Sequence, residues 1–199
     1  DPFYYDILSD YQSLAWRSNG LDTPADIIHQ SGQNNIYTYR FDWDEEPKIL
    51  GMDFSLLLGA AHAFEIPFIM GDFDLGAQTS LIYDKNKIKE RNILSNSMMQ
   101  YWSEFAKNGN PNEGSNENLP RWKKWKLFDG ETNLMILDTI SSGGTRIINS
   151  HVPIDALVET FDNDPRSKKI DDKCAFLEIV FSWVDNWKEK NDSCINYES

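Results

Sequence analysis

Residues 35–43 constrain the fold more than any other part of this chain. Tyr37, Tyr39, Phe41 and Trp43 alternate with Thr38, Arg40 and Asp42, the period of a β-strand that turns every second side chain to the same side. A strand over Asn35 to Trp43, closed by Pro47, therefore presents four aromatic rings on one face. That face has to be covered, yet the sequence offers few strands to build a sheet around it. Leu134 to Leu137 is a short apolar run of the buried-strand type, and the other periodic segments are helical. Two strands cannot form an independent sheet with its own core, so these two are expected to complete a sheet whose other strands lie elsewhere.

The helical segments are marked by spacing and by end chemistry. Ile7, Leu8, Tyr11, Leu14 and Ala15 predict a helix from Pro2 to Arg17, stopped by Gly20. Thr23-Pro24-Ala25-Asp26 has the form of a helix start, with Thr as N-cap and Pro in the first turn, and Gly32 closes that helix. Leu94, Met98, Trp102 and Phe105 place a long helix over Lys85 to Lys107, ended by Asn108-Gly109-Asn110-Pro111. Residues 112–130 are polar and turn-rich, and Ser142-Gly143-Gly144 reads as a loop. Val152 to Phe161 and Ile170 to Trp187 complete the set, the latter carrying Ile170, Cys174, Leu177, Phe181 and Val184 as a core-facing stripe. No repeat or linker divides the 199 residues, which read as part of one α/β domain.

Composition excludes several classes of function. With 40% hydrophobic and 13% aromatic residues, the chain can bury a real core and is not a disordered segment. A net charge of −13 argues against nucleic-acid binding, which needs clustered Lys and Arg. The densest basic stretch, Arg121-Trp122-Lys123-Lys124-Trp125-Lys126, reads as a solvated loop with its tryptophans tucked beneath. No apolar run approaches the roughly 20 residues of a membrane span, so a soluble protein is expected. Asp1-Pro2-Phe3 lacks the features of a signal peptide and reads as a start in mid-protein, leaving the compartment open. Of the two cysteines, Cys174 lies near the start of the last predicted helix and Cys194 beyond its end. A helix continuing to about Lys188 would hold them roughly 20 Å apart, so an intrachain bridge is open but not favoured.

The chemistry centres on Gly59-Ala60-Ala61-His62-Ala63-Phe64-Glu65-Ile66-Pro67-Phe68. Small residues before a histidine allow close backbone approach, and a histidine near neutral pKa is the natural base and acid for acyl transfer. A lone histidine is nonetheless more often structural. His29 and His151 lack any such setting and read as surface or cap residues; Asp72 and Asp74 read as loop or cap residues.

The segment resembles the histidine motif of the type-B carboxylesterase and cholinesterase family of α/β-hydrolases, a His-Gly-x-Glu-Ile/Leu-x-Phe run. Ile36 to Trp43 resembles the strand before that motif. Met98-Met99-Gln100-Tyr101-Trp102-Ser103-Glu104-Phe105-Ala106-Lys107-Asn108-Gly109-Asn110-Pro111-Asn112 is similar to the family's helix and its stop almost residue for residue. Leu119-Pro120-Arg121-Trp122 stands, altered, where the family has a Trp-Pro pair. The resemblance covers roughly residues 34–140 and implies the C-terminal part of an α/β-hydrolase.

It implies further that His62 is the general base of a Ser-acid-His triad. Glu65 corresponds to a buried glutamate that helps to fix the histidine region and is not the triad acid. Where the family has Gly after the histidine, this chain has Ala63; glycine tolerates a positive φ there at less cost than alanine. Phe64 and Phe68, with Met70 and Phe73, are candidates for an apolar part of the ester pocket, with core packing as the alternative. No Gly-x-Ser-x-Gly pentapeptide occurs, and the triad order of the fold puts serine and acid upstream of the histidine. The implied whole is a serine carboxylesterase acting on small-molecule esters without cofactor or metal, inactive as this chain alone. Its partner would be the N-terminal part of the same enzyme, in the same or a separate chain. The uncovered sheet edge would favour self-association. The alternative is part of a non-catalytic, cholinesterase-like binding or adhesion domain.

Overall fold

The computed structural model describes residues 1–114, 118–184, 187–190 and 194. In chain order the elements are α1 (Pro2–Arg17), α2 (Thr23–Gln30), β1 (Thr38–Phe41), β2 (Lys48–Ile49), β3 (Met52–Asp53), α3 (Phe54–Leu57), α4 (Ile66–Met70), α5 (Thr79–Ile82), α6 (Ile88–Asn108), β4 (Asn133–Leu137), β5 (Arg146–Asn149), α7 (Ile154–Asn163) and α8 (Lys173–Phe181). They fall into two compact units, one of residues 1–33 with 150–199 and one of residues 34–149.

The unit of residues 34–149 carries the sheet. The two strands expected from sequence pair with each other: β1 runs parallel to β4, with Thr38 opposite Leu134 and Phe41 opposite Leu137. β5 adds to the other side of β4 in antiparallel sense, giving the order β1-β4-β5. Every residue of β4 is buried, which suits an apolar run in a central strand covered on both faces. β1 is shorter than Asn35 to Trp43, but its alternation holds. Phe41 and Trp43 are buried, and Tyr37 and Tyr39 pack against the same cluster as Phe68, Tyr83, Leu94, Met98 and Trp122.

The parallel pair requires a crossover, and α6 is its main element. Leu94, Ser95, Met98 and Tyr101 form its buried face, and α4 packs against it. Gly109 ends α6 at φ 67° with its N–H on the Phe105 carbonyl, the left-handed cap expected from the Asn-Gly-Asn-Pro stop. The basic stretch after it has both tryptophans beneath it: Trp122 is 5% exposed and Trp125 fully buried. The Trp122 indole N–H donates to the Thr38 carbonyl at 3.1 Å. Ahead of the histidine segment, β2 and β3 form a hairpin whose two turn residues, Leu50 and Gly51, both have positive φ. That is the backbone a two-residue turn needs to match strand twist.

The other unit packs α1, α7 and α8 around Ile7, Tyr11, Ala15, Leu157, Phe161, Leu177 and Phe181. α1 has the bounds expected. It does not stop at Gly20, however, but passes through a π-type turn, Ser18–Asp22, directly into α2. Thr23 is therefore the first residue of α2 rather than its cap. Inside that turn the fully buried Asp22 pairs with Arg17 at 3.0 Å. Arg17 also donates to the hydroxyl and carbonyl of Ser150 at 3.0 Å each.

The last helix differs from expectation. α8 covers only Lys173–Phe181 instead of Ile170 to Trp187, of which Asp185 and Asn186 lie outside the described residues. The chain leaves the helix at Ser182 and bends back, and Cys174 and Cys194 form a disulfide with Cα atoms 5.5 Å apart. The unfavoured bridge is thus present because the helix is two turns shorter than its apolar stripe predicted. Among the described residues no helix is long and apolar enough to cross a membrane.

Candidate functional site

His62 sits on a staircase of tight turns leading into α4. Ala61 N–H donates to the Gly59 carbonyl at 2.7 Å, Phe64 to Ala61 at 3.1 Å, and Ile66 to Ala63 at 3.2 Å. Two left-handed residues make this possible: Gly59 at φ 51° and Ala63 at φ 71°. The position after the histidine thus adopts the conformation that glycine takes readily and an alanine adopts at a cost. The histidine itself is exposed to solvent.

Glu65 is the first-turn anchor of α4. Its carbonyl accepts from Phe68 at 3.1 Å and Ile69 at 3.0 Å, while its side chain makes no cap hydrogen bond. It is half-buried. Tyr39 feels its charge: burial raises the phenol pKa first, and the Glu65 carboxylate raises it further. Behind the loop, Ser95 on α6 donates to the Phe68 carbonyl at 2.8 Å.

Phe68 is fully buried and touches Phe41, Trp43 and Phe73 with ring centroids 5.0 Å apart in each case. Phe64 and Phe73 are partly buried and lean on the same cluster. Met70 is 71% exposed. A separate recess of about 170 Å³ is lined by Tyr37, Tyr39, Tyr101, Trp102, Phe105, Pro111 and Trp122, and none of the four pocket candidates borders it.

Asp72 and Asp74 cap local turns, accepting from the N–H groups of Asp74 and Gly76 at 3.1 and 2.9 Å. Of the other histidines, one departs from the surface reading. His29 is 8% exposed, hence not a surface residue, because α2 turns that side inward. His151 remains partly exposed, with its Nε2 2.8 Å from Asp26 Oδ2.

One group escaped the sequence reading altogether. Glu46 is 6% exposed; burial pushes its carboxyl up to about 7, its own backbone amide opposes this, and the nearby Asp44, Glu45 and Asp53 carboxylates add to the rise. Its neighbour Glu45 is bound to Lys87 at 2.7 Å and accepts from Thr139 at 3.0 Å.

A family match covers most of the chain. The carboxylesterase family model matches residues 10–147. Human (Homo sapiens) cocaine esterase is 33% identical over 147 residues, 72% of this chain and 23% of that protein. Acylcarnitine hydrolase of Rattus norvegicus is 38% identical over 80 residues, 40% of this chain and 12% of that protein. A crystal structure of a Geobacillus stearothermophilus carboxylesterase aligns with TM-score 0.45 and 21% identity, covering 68% of this chain and 23% of that one. The chain belongs to the carboxylesterase family. With membership comes the α/β-hydrolase architecture, of which the β1-β4-β5 sheet and its helices form a part. The chain spans between 12% and 23% of the length of these two curated relatives.

Proposed function

We propose that this chain is the C-terminal part of a serine carboxylesterase and supplies its general base, His62. The observation that carries the reading is Ala63 at φ 71°. The residue after the histidine holds the left-handed geometry that the family's glycine would take, although alanine resists it, and the turn leaves the imidazole exposed. In the complete enzyme a serine supplied by the upstream part attacks the ester carbonyl while His62 accepts its proton. His62 then donates that proton to the departing alcohol, and water repeats the cycle on the acyl-enzyme. Glu65, anchoring the first turn of α4, positions the histidine loop.

The upstream part is also the partner that would cover the exposed apolar side chains flanking the loop, among them Leu56 (74%), Leu57 (57%), Ile66 (52%) and Met70 (71%). Left uncovered they favour self-association.

The test compares p-nitrophenyl ester hydrolysis by the complete protein, its His62→Gln variant and the 199-residue chain alone. The complete protein should turn over with a burst of p-nitrophenol. His62→Gln should lose the burst with an unchanged unfolding transition, and the chain alone should be inactive. Turnover retained by His62→Gln would move the base elsewhere, and turnover by the chain alone would overturn the requirement for an upstream serine.

A further inference from the structure

Glu46 is a buried acid whose ionised form its own backbone amide favours less than burial opposes it. Among the described residues no side chain donates to either of its carboxyl oxygens, and two further buried polar atoms, Trp43 Nε1 and Tyr83 Oη, also lack a partner. The Trp43 and Tyr83 rings lie 6.4 Å apart, and the Glu46 charge reaches Tyr83, so the three groups share one neighbourhood.

The charges around it all oppose ionisation or are engaged elsewhere. Asp44 and Glu45 on its own segment and Asp53 on β3 are carboxylates. Lys48 is bound to Asp53 at 2.7 Å, and Lys87 to Glu45 at 2.7 Å and Glu90 at 3.3 Å. The guanidinium of Arg91 on α6 lies over the rings of Phe73 and Tyr83, 4.0 and 5.3 Å from their centroids. The Tyr83 phenol, pushed up to about 12 mainly by burial, is neutral throughout the working range. A carboxylate in this setting is buried without counter-charge or side-chain donor, which costs far more than burying the neutral acid.

We propose that Glu46 is a proton-operated latch: the segment from Trp43 to Asp53 is seated while Glu46 carries its proton and loosens when Glu46 ionises. The folded-state value of about 7 lies above the ordinary 4.5, so the seated state binds the proton more tightly than the released state. Its advantage is complete below the ordinary value, falls as pH rises from there towards about 7, and is gone above it. The same segment continues through the β2–β3 hairpin and α3 into the turns that hold His62. The latch stands whether or not His62 acts as a base.

Hydrogen exchange of the 199-residue chain, corrected for the intrinsic pH dependence, tests the latch directly. Protection of residues 43–53 should fall on the order of a hundredfold between pH 5 and pH 8, and Glu46→Gln should keep its pH 5 protection at pH 8. Equal protection of the native chain at both pH values, or the same loss in Glu46→Gln, overturns the proposal. Should Glu46→Gln fail to fold, carbon-13 spectra of the native glutamate carboxyls decide: one titrating near pH 7 supports the latch, and all titrating near the ordinary value overturn it.

Discussion

The hydroxyl of Ser95 donates to the backbone carbonyl of Phe68 at 2.8 Å, with Ser95 buried. This bond ties the long helix α6 to the short helix α4 that follows the histidine turns. Ser95→Ala leaves that carbonyl facing a buried methyl group. The expected loss is about 1–2 kcal/mol, read from the urea midpoint at unchanged m-value.

Ala63 carries the opposite prediction. Its φ of 71° disfavours a side chain with Cβ, and Ala63→Gly removes that strain at a smaller entropic cost. The variant should be more stable by about 0.5–1 kcal/mol, and Ala63→Val less stable by more than that. Thermal unfolding of the three proteins side by side checks the order.

Arg17 and Asp22 give a prediction that depends on pH. Asp22 is fully buried, and its pKa is raised by burial in spite of the attraction to Arg17. Arg17→Met strands the carboxylate, at a cost of about 3–5 kcal/mol at neutral pH. Removing the cation raises the folded-state pKa of Asp22 further, so protonation relieves the penalty in acid. The gap between variant and parent should narrow as pH falls from 7 towards 4. A gap that stays constant over that range would show that lost packing, not charge, causes the damage.

The Cys174–Cys194 bridge closes a loop with a sequence separation of 20. A loop of that size restricts the unfolded chain by about 3 kcal/mol. Reduction, or replacement of both cysteines by alanine, should lower the melting temperature of the unit formed by residues 1–33 and 150–199. The melting of residues 34–149, followed by hydrogen exchange of α6, should change little.

What could be read from sequence was whatever local periodicity controls. α1 needed only its apolar spacing, and α6 only its stripe and its Gly109 stop. β1 showed its aromatic face because alternation survives in any sheet environment. β5 left no such mark: Arg146 to Asn149 places two isoleucines side by side, and what makes it a strand is its pairing with β4. The shortening of α8 is likewise a tertiary effect, since nothing within its apolar stripe says where the chain should turn back towards Cys174. At the candidate site the motif singled out His62, and glycine's backbone freedom explained Ala63. The burial of Glu46 depends on residues far from it in the chain, such as Tyr83, and no local pattern reports that.

The parallel pairing of β1 with β4 has a consequence for the order in which the unit assembles. Thr38, whose hydroxyl is bonded to the Asn133 carbonyl, lies 95 residues from it along the chain. The ladder cannot form until the intervening crossover, α6 included, has compacted enough to bring those two ends together. Pairings of such long range are slow to close and late to be rewarded. The aromatic face of β1 therefore spends the early part of folding without its sheet partner, the interval in which an unpaired strand is most open to wrong contacts.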